Sequence, residues 1–292
     1  MVTPLAGPDA LDRPGLERLV EHMLAGGVHG LFLLGTTGEA PSLSYRVRRE
    51  LIDAICRQVA GRVPVLVGIG DTAIVESLGM ARHAAEAGVQ AVVASPPYYF
   101  PLTQPELAGY FERLAAELPL PLYLYNMPEM TKIVFEPETV RRLMQVQRIV
   151  GIKDSSGDPA QFDAFLSLRP ERPDWSFFVG PEHLTARAVA RGGDGGVNGG
   201  ANLRPRLFVD LYRAARSGDA ARVARLQEQV ERLGRLYRVR SGAASVIQGL
   251  KCALSLSGIC DDYLAEPFCR FEGPERLKVH QLLDELDQEA EH

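Results

Sequence analysis

Ile149-Val150-Gly151-Ile152-Lys153-Asp154-Ser155-Ser156 begins as a short, nearly wholly apolar run and ends on an amine, a carboxylate and two hydroxyls. An apolar run of this length, with no polar alternation, is the pattern of a strand buried on both faces of a parallel sheet. The pattern recurs in both directions. Residues 30–34, 64–68, 91–94, 121–125, 149–153, 177–180 and 195–197 read as strands, and a first strand would sit at residues 1–3. Helical patterns fall between them, at residues 16–25, 46–60, 75–87, 105–117, 137–144, 161–168, 184–190 and 205–217. Eight β-then-α units predict a (β/α)8 TIM barrel. A doubly wound sheet is the alternative, disfavoured because no G-x-G-x-x-G opens a helix after the first strand.

After residue 217 the strand pattern stops. Residues 220–238, 242–257 and 274–289 read as helices alone. The expected organisation is a catalytic barrel over residues 1–217 and a C-terminal helical region over 218–292 packed on it, within a chain long enough to bury a large core.

Composition narrows the function. A net charge of −5 argues against a nucleic-acid partner, which calls for a basic stripe. No apolar run approaches the length of a membrane span, and the first residues lack the basic and apolar regions of a secretion signal, so a cytoplasmic protein is expected. Cys56, Cys252, Cys260 and Cys269 form no C-x-x-C pair and read as buried thiols of a reducing cytosol. The histidines include no H-E-x-x-H, so no metal is expected. Lysine is scarce: Lys132, Lys153, Lys251 and Lys278 stand against twenty-eight arginines. Keeping a lysine at the end of a buried strand fits a position that needs an amine able to lose its proton, which arginine cannot do; chance placement is the plain alternative.

In a barrel the active site lies at the C-terminal ends of the strands. Those ends carry Gly35-Thr36-Thr37-Gly38-Glu39, Pro96-Pro97-Tyr98-Tyr99, Tyr125-Asn126, Lys153-Asp154-Ser155-Ser156, Gly180-Pro181-Glu182-His183 and Val197-Asn198-Gly199-Gly200. Desolvation at a strand end would favour the neutral amine of Lys153 and open it to Schiff-base chemistry. The competing reading pairs it with a carboxylate such as Asp154. Tyr125, ending the preceding strand, could relay protons beside that amine or serve as an ordinary strand aromatic. The Thr36-Thr37 turn offers hydroxyls and backbone N–H groups suited to a carboxylate, or is a tight loop that needs glycine. The glycine-rich run from Gly192 to Gly200 could cradle a phosphate, but lacks a P-loop lysine; close backbone approach is the better reading.

Together, Gly35-Thr36-Thr37-Gly38-Glu39, Tyr125-Asn126-Met127-Pro128, Gly151-Ile152-Lys153-Asp154-Ser155-Ser156-Gly157 and Gly193-Asp194-Gly195-Gly196-Val197 resemble the dihydrodipicolinate synthase / N-acetylneuraminate lyase family of class I aldolases, over nearly the whole chain. The resemblance implies that Lys153 forms an imine with pyruvate or another 2-keto acid and that Tyr125 relays protons. It implies that Thr36 and Thr37 hold the keto-acid carboxylate, that Thr36 links Tyr125 to a second tyrosine from a neighbouring subunit, matched by Tyr99, and that Val197 packs on the bound pyruvate. Gly180 and Ser155 fall beside these substrate-binding positions. It implies no metal or organic cofactor, small-molecule keto-acid and aldehyde substrates, and a homodimer or homotetramer.

Two departures stand out. Where the synthase carries an arginine for the second substrate's carboxylate, this chain has Met130 within Pro128-Glu129-Met130-Thr131, and methionine makes no bidentate contact with a carboxylate. That stretch and Pro97-Tyr98-Tyr99-Phe100-Pro101 look more like members acting on 2-keto-3-deoxy sugar acids. Glu182 and His183 fall where sialic-acid lyases bind substrate hydroxyls, although an acidic residue at a helix start also answers the helix dipole. Homologues usually have several more residues before the Thr3-Pro4 equivalent, so either the first strand is short or the native start lies upstream of Met1. The leading expectation is a lyase or aldolase acting on a 2-keto-3-deoxy sugar acid. The alternatives are dihydrodipicolinate (4-hydroxy-tetrahydrodipicolinate) synthesis, dehydration of a keto-deoxy sugar acid, and a non-catalytic sugar-acid sensor.

Overall fold

The structure, a computed structural model, describes residues 1–290. Residues 291 and 292 of the expected C-terminal region lie outside the described residues. The chain forms two compact units: Met1–Val63 with Gly199–His292, and Pro64–Asn198.

The first unit opens on a small hairpin, β1 (Leu5–Gly7) and β2 (Ala10–Leu11), followed by α1 (Arg13–Ala25), β3 (Leu31–Leu33) and α2 (Tyr45–Val59). No strand forms at residues 1–3. That segment is held by polar contacts within the unit: Val2 N donates to Asn202 Oδ1 at 2.9 Å and the Met1 amino group to Phe32 O at 2.7 Å. Helix α1 starts three residues earlier than hydrophobic periodicity alone indicates. Asp12 caps it, accepting from Gly15 N at 2.9 Å, and proline stands in the first turn, where its missing N–H costs nothing.

The second unit alternates strand and helix: β4 (Val65–Gly68), α3 (Ile74–Glu86), β5 (Ala91–Ala94), α4 (Gln104–Glu117), β6 (Leu122–Asn126), α5 (Pro128–Thr131), α6 (Pro137–Leu143), β7 (Ile149–Asp154), α7 (Pro159–Leu166), β8 (Ser176–Val179), α8 (Thr185–Ala190) and β9 (Gly195–Gly196). Strands β4 to β9 are parallel, each paired with the next in chain order. One strand face carries Val92, Leu124, Ile152 and Phe177, all buried. Helices supply the facing layer through Phe111 and Leu114 on α4 and Phe162 and Phe165 on α7, each at most 2% exposed. Side chains of this size each contribute about 1.5–3 kcal/mol on burial. The helix starts are capped: Thr103 and Glu106 form a capping box on α4, and Asp158 accepts from Ala160 N at 2.8 Å on α7.

The first unit resumes with α9 (Pro205–Ser217), α10 (Ala220–Leu233), α11 (Ser245–Leu256) and α12 (Gly273–Ala290). The helix expected over 220–238 ends at Leu233 and tightens into a 3-10 segment, Gly234–Arg238. Gly249 explains how closely that segment packs: a Cβ there would lie 2.2 Å from Leu236 O. Among the described residues, no helix is long and apolar enough to cross a membrane.

Candidate functional site

Side chains alternate across a strand, so register decides which groups meet. Tyr125 pairs with Lys153, and Lys153 with Phe178; one pleat earlier, Tyr123 pairs with Gly151. These residues share one face. Gly151 leaves a notch that the Tyr123 ring fills, since a Cβ at Gly151 would fall 2.6 Å from Tyr123 Cε1. Tyr123 leans on Phe178 at 5.9 Å between centroids. Lys153 is 8% exposed, and its Nζ stands 4.3 Å from the centroid of the Tyr125 ring. An ammonium over an aromatic face is attracted by the ring quadrupole.

The opposite face of the same residues is a polar lock. Asp154 Oδ1 accepts from Asn126 Nδ2 at 2.7 Å and from Ser156 N at 3.1 Å; Oδ2 accepts from Ser156 Oγ at 2.9 Å. Asn126 Oδ1 in turn accepts from Phe135 N at 3.1 Å. Burial pushes the Asp154 carboxyl above the usual carboxylate range, opposed by its bonds to Asn126 and Ser156. The carboxylate offered by the sequence as a partner for Lys153 is therefore engaged across the strand on the other side. The Asn126–Asp154 bond joins the register partners directly after Tyr125 and Lys153 and so reinforces the register that brings those two together.

Beside Lys153 the backbone closes in. Ser155 N donates to Asn126 O at 2.8 Å, Gly180 N to Asp154 O at 2.7 Å, and Val197 N to Val179 O at 2.9 Å, linking the ends of β6 to β9. A Cβ at Gly180 would fall 1.9 Å from Ser155 Oγ and 3.3 Å from Lys153 Cε. Gly180 thus leaves room for both side chains, and Ser155, Gly180 and Val197 are half-buried there. Glu182, half-buried, and His183, exposed, lie in the 3-10 turn Glu182–Leu184 ahead of α8. Asp194, in the glycine-rich run, is a structural anchor: its Oδ2 accepts from Phe177 N at 2.7 Å and pairs with Arg169.

Tyr99 has a different setting. It is 86% exposed, stands edge-on to the exposed Phe100 at 5.0 Å, and adopts φ 93°. It borders a hollow of about 800 Å³ whose lining includes Thr72, Ile74, Tyr98 and Tyr110 and none of the groups around Lys153. Met130, 38% exposed, sits on the short helix α5 that follows β6. In the first unit, half-buried Thr36 and Thr37 form a 3-10 turn after β3, closed by Gly38 N donating to Gly35 O and Glu39 N to Thr36 O, each at 3.0 Å. Sequence reading passed over Asn126 and Asp154 as a pair, although each directly follows a proposed site residue on its strand.

The family model described as the dihydrodipicolinate synthetase family matches residues 1–286. The chain belongs to the dihydrodipicolinate synthetase family. It is an enzyme, a class I lyase, and its fold is the (β/α)8 barrel with a C-terminal helical extension. The solved dihydrodipicolinate synthase of Bacteroides thetaiotaomicron is 51% identical, with a TM-score of 0.95 over 98% of this chain and 96% of that one. YagE of Escherichia coli K12, a family member solved in complex with pyruvate, is 28% identical with a TM-score of 0.92, over 98% and 96%. Among curated family members, the probable 2-dehydro-3-deoxy-D-pentonate aldolase YjhH of Escherichia coli K12 is 33% identical over 94% of this chain and 91% of its own.

Proposed function

We propose that this enzyme cleaves or forms a 2-keto-3-deoxy sugar acid through an imine on Lys153, within a barrel spanning residues 1–217. The observation that carries the reading is the buried Lys153 amine held over the Tyr125 ring at the ends of two register-locked strands.

In the cleavage direction, the Lys153 amine adds to the C2 carbonyl of the keto acid. Proton transfers through the Tyr125 hydroxyl expel water and leave a protonated imine. Removal of the C4 hydroxyl proton breaks the C3–C4 bond. The aldehyde departs, and the electron pair moves into the imine to give an enamine. Protonation at C3 and hydrolysis then release pyruvate and the free amine. Thr36 and Thr37 hold the keto-acid carboxylate, Val197 packs on its carbon chain, and Ser155 and Glu182, with His183, face the hydroxylated tail. Tyr99 acts from a second copy of the chain, in a homodimer or homotetramer; its exposure and left-handed backbone suit a residue that finishes its contacts across an interface. A cytoplasmic setting fits the free thiols.

The second reading is 4-hydroxy-tetrahydrodipicolinate synthesis, favoured by the 51% identity to the Bacteroides synthase. Met130 argues against it, because a thioether offers the second substrate's carboxylate neither charge nor paired donors. A substrate panel separates them. Retro-aldol release of pyruvate from 2-keto-3-deoxy pentonates or hexonates supports the first reading; efficient condensation of pyruvate with aspartate semialdehyde, with no such release, establishes the second.

A further inference from the structure

The first unit contains a second buried lysine, outside the Lys153 group. Lys251 on α11 and Glu39 form an ion pair in which both side chains are 0% exposed. Lys251 Nζ also donates to Tyr263 O at 2.7 Å, and Glu39 Oε1 accepts from Ala265 N at 2.9 Å. The pair therefore joins three pieces of chain: the turn that carries Thr36 and Thr37, helix α11, and the segment after it.

Each attachment is itself anchored. Asp261 N donates to Asp12 Oδ2 at 2.9 Å, and Tyr263 bridges to Leu5, so the segment after α11 is tied to α1 and β1. On the other side, Thr3 Oγ1 donates to Gly38 O at 2.8 Å. Glu39 adopts φ 57°, ψ 25°, a left-handed conformation that a residue bearing a side chain holds only when its surroundings impose it. Its N–H closes the Thr36 turn by donating to Thr36 O at 3.0 Å. The conformation of Glu39 and the shape of the threonine turn are thus one feature, and the Glu39 side chain ties it to Lys251. Burying two charges this deeply is weak evidence of a stabilising role, which leaves the conformation it ties together as the feature to explain.

We propose that Glu39 and Lys251 are a positioning pair, through which the C-terminal segment sets the geometry of the Thr36–Gly38 turn and hence the enzyme's affinity for the keto-acid carboxylate. This rests on the reading that Thr36 and Thr37 hold that carboxylate. Lys251 touches no substrate and forms no imine.

The test measures borohydride-trapped pyruvate adduct against pyruvate concentration in the full-length enzyme. The variants are Glu39→Gln, Lys251→Met, the double variant in which no charge is left unpaired, and Thr37→Ala. Folding is checked by circular dichroism. The proposal expects half-saturating pyruvate to rise about tenfold or more in the Glu39 and Lys251 variants, with the same adduct at saturation. A merely structural pair would lower the melting temperature and leave half-saturation unmoved, and that result overturns the proposal. Failure of all three pair variants to fold overturns it as well, by making the pair a general requirement of the fold. Thr37→Ala keeps the two questions apart: if it leaves half-saturation unchanged, the carboxylate reading falls; if it shifts half-saturation while the folded pair variants do not, only the positioning pair falls.

Discussion

Tyr125 and Lys153 are partners in register on adjacent parallel strands, and Lys153 Nζ stands 4.3 Å from the centroid of the Tyr125 ring. In the proposed mechanism the ring and its hydroxyl serve different purposes. Tyr125→Phe keeps the aromatic face but removes the proposed proton relay. Imine formation is expected to slow by about 10²–10⁴-fold with little change in melting temperature. Rapid-quench borohydride trapping alongside a thermal scan checks this; an unslowed rate removes Tyr125 from the relay.

Asp154 supports that pair from the opposite face. Asp154→Ala strips the acceptor from Asn126 Nδ2 and from the Ser156 N–H and hydroxyl, and is expected to cost about 1–3 kcal/mol in urea denaturation. The pH dependence has a defined sign. Burial raises the folded-state pKa of Asp154, so its favourable contribution is complete below the unfolded value, about 3.9, and is lost as pH rises through the folded value. Asp154→Asn, uncharged throughout, should gain on the wild type as pH rises through that window. Denaturation midpoints across the window that diverge in the other direction would contradict the account.

Gly180 leaves space beside Lys153. In Gly180→Ala the new methyl would fall 1.9 Å from Ser155 Oγ, so activity should drop sharply through displacement of Ser155. Adding Ser155→Ala removes the clashing hydroxyl. Partial recovery of imine formation in the double variant, read by adduct mass, is the expected result; no recovery would place the damage elsewhere.

Met130 marks the specificity question. Met130→Arg supplies a forked cation on α5, and initial rates with pyruvate and aspartate semialdehyde should rise about tenfold or more. A folded variant with unchanged rates would show that this position does not read the second substrate.

The cysteines are expected to differ in reactivity. Burial pushes the Cys252 thiol up to about 11 and the Cys260 thiol up to about 12, whereas, against the expectation of four buried thiols, Cys56 is half-buried and Cys269 exposed. Because the thiolate is the reactive form, alkylation of native protein followed by peptide mapping should label Cys269 first and leave Cys252 and Cys260 unmodified until denaturation.

Much of the fold was legible where burial acts on both faces of a strand. The run at Ala91–Ala94 is bounded as its apolar residues indicate, and β6 and β7 each run one residue further, to Asn126 and Asp154. Those extra residues are polar, so apolar periodicity stopped before them, and with them went the lock that sets the site. Helix starts at Arg13 and Pro159 were missed for a related reason, since capping by Asp12 and Asp158 is a polar signal. The hairpin of β1 and β2 is too short to show a period. Lys153 and Tyr125 stood out because chemistry and strand end coincide. Lys251 did not, because its meaning lies in a contact with Glu39, far away in the chain, that only the folded structure supplies.

In the proposed mechanism Lys153 is the amine that captures the keto acid. Borohydride reduction of the full-length enzyme with pyruvate, followed by intact mass and peptide mapping, tests it directly. One pyruvyl adduct per chain is expected, on the peptide containing Lys153, and none in Lys153→Ala. An adduct that persists in Lys153→Ala, maps to Lys251 or another lysine, or fails to form in the wild type would contradict it.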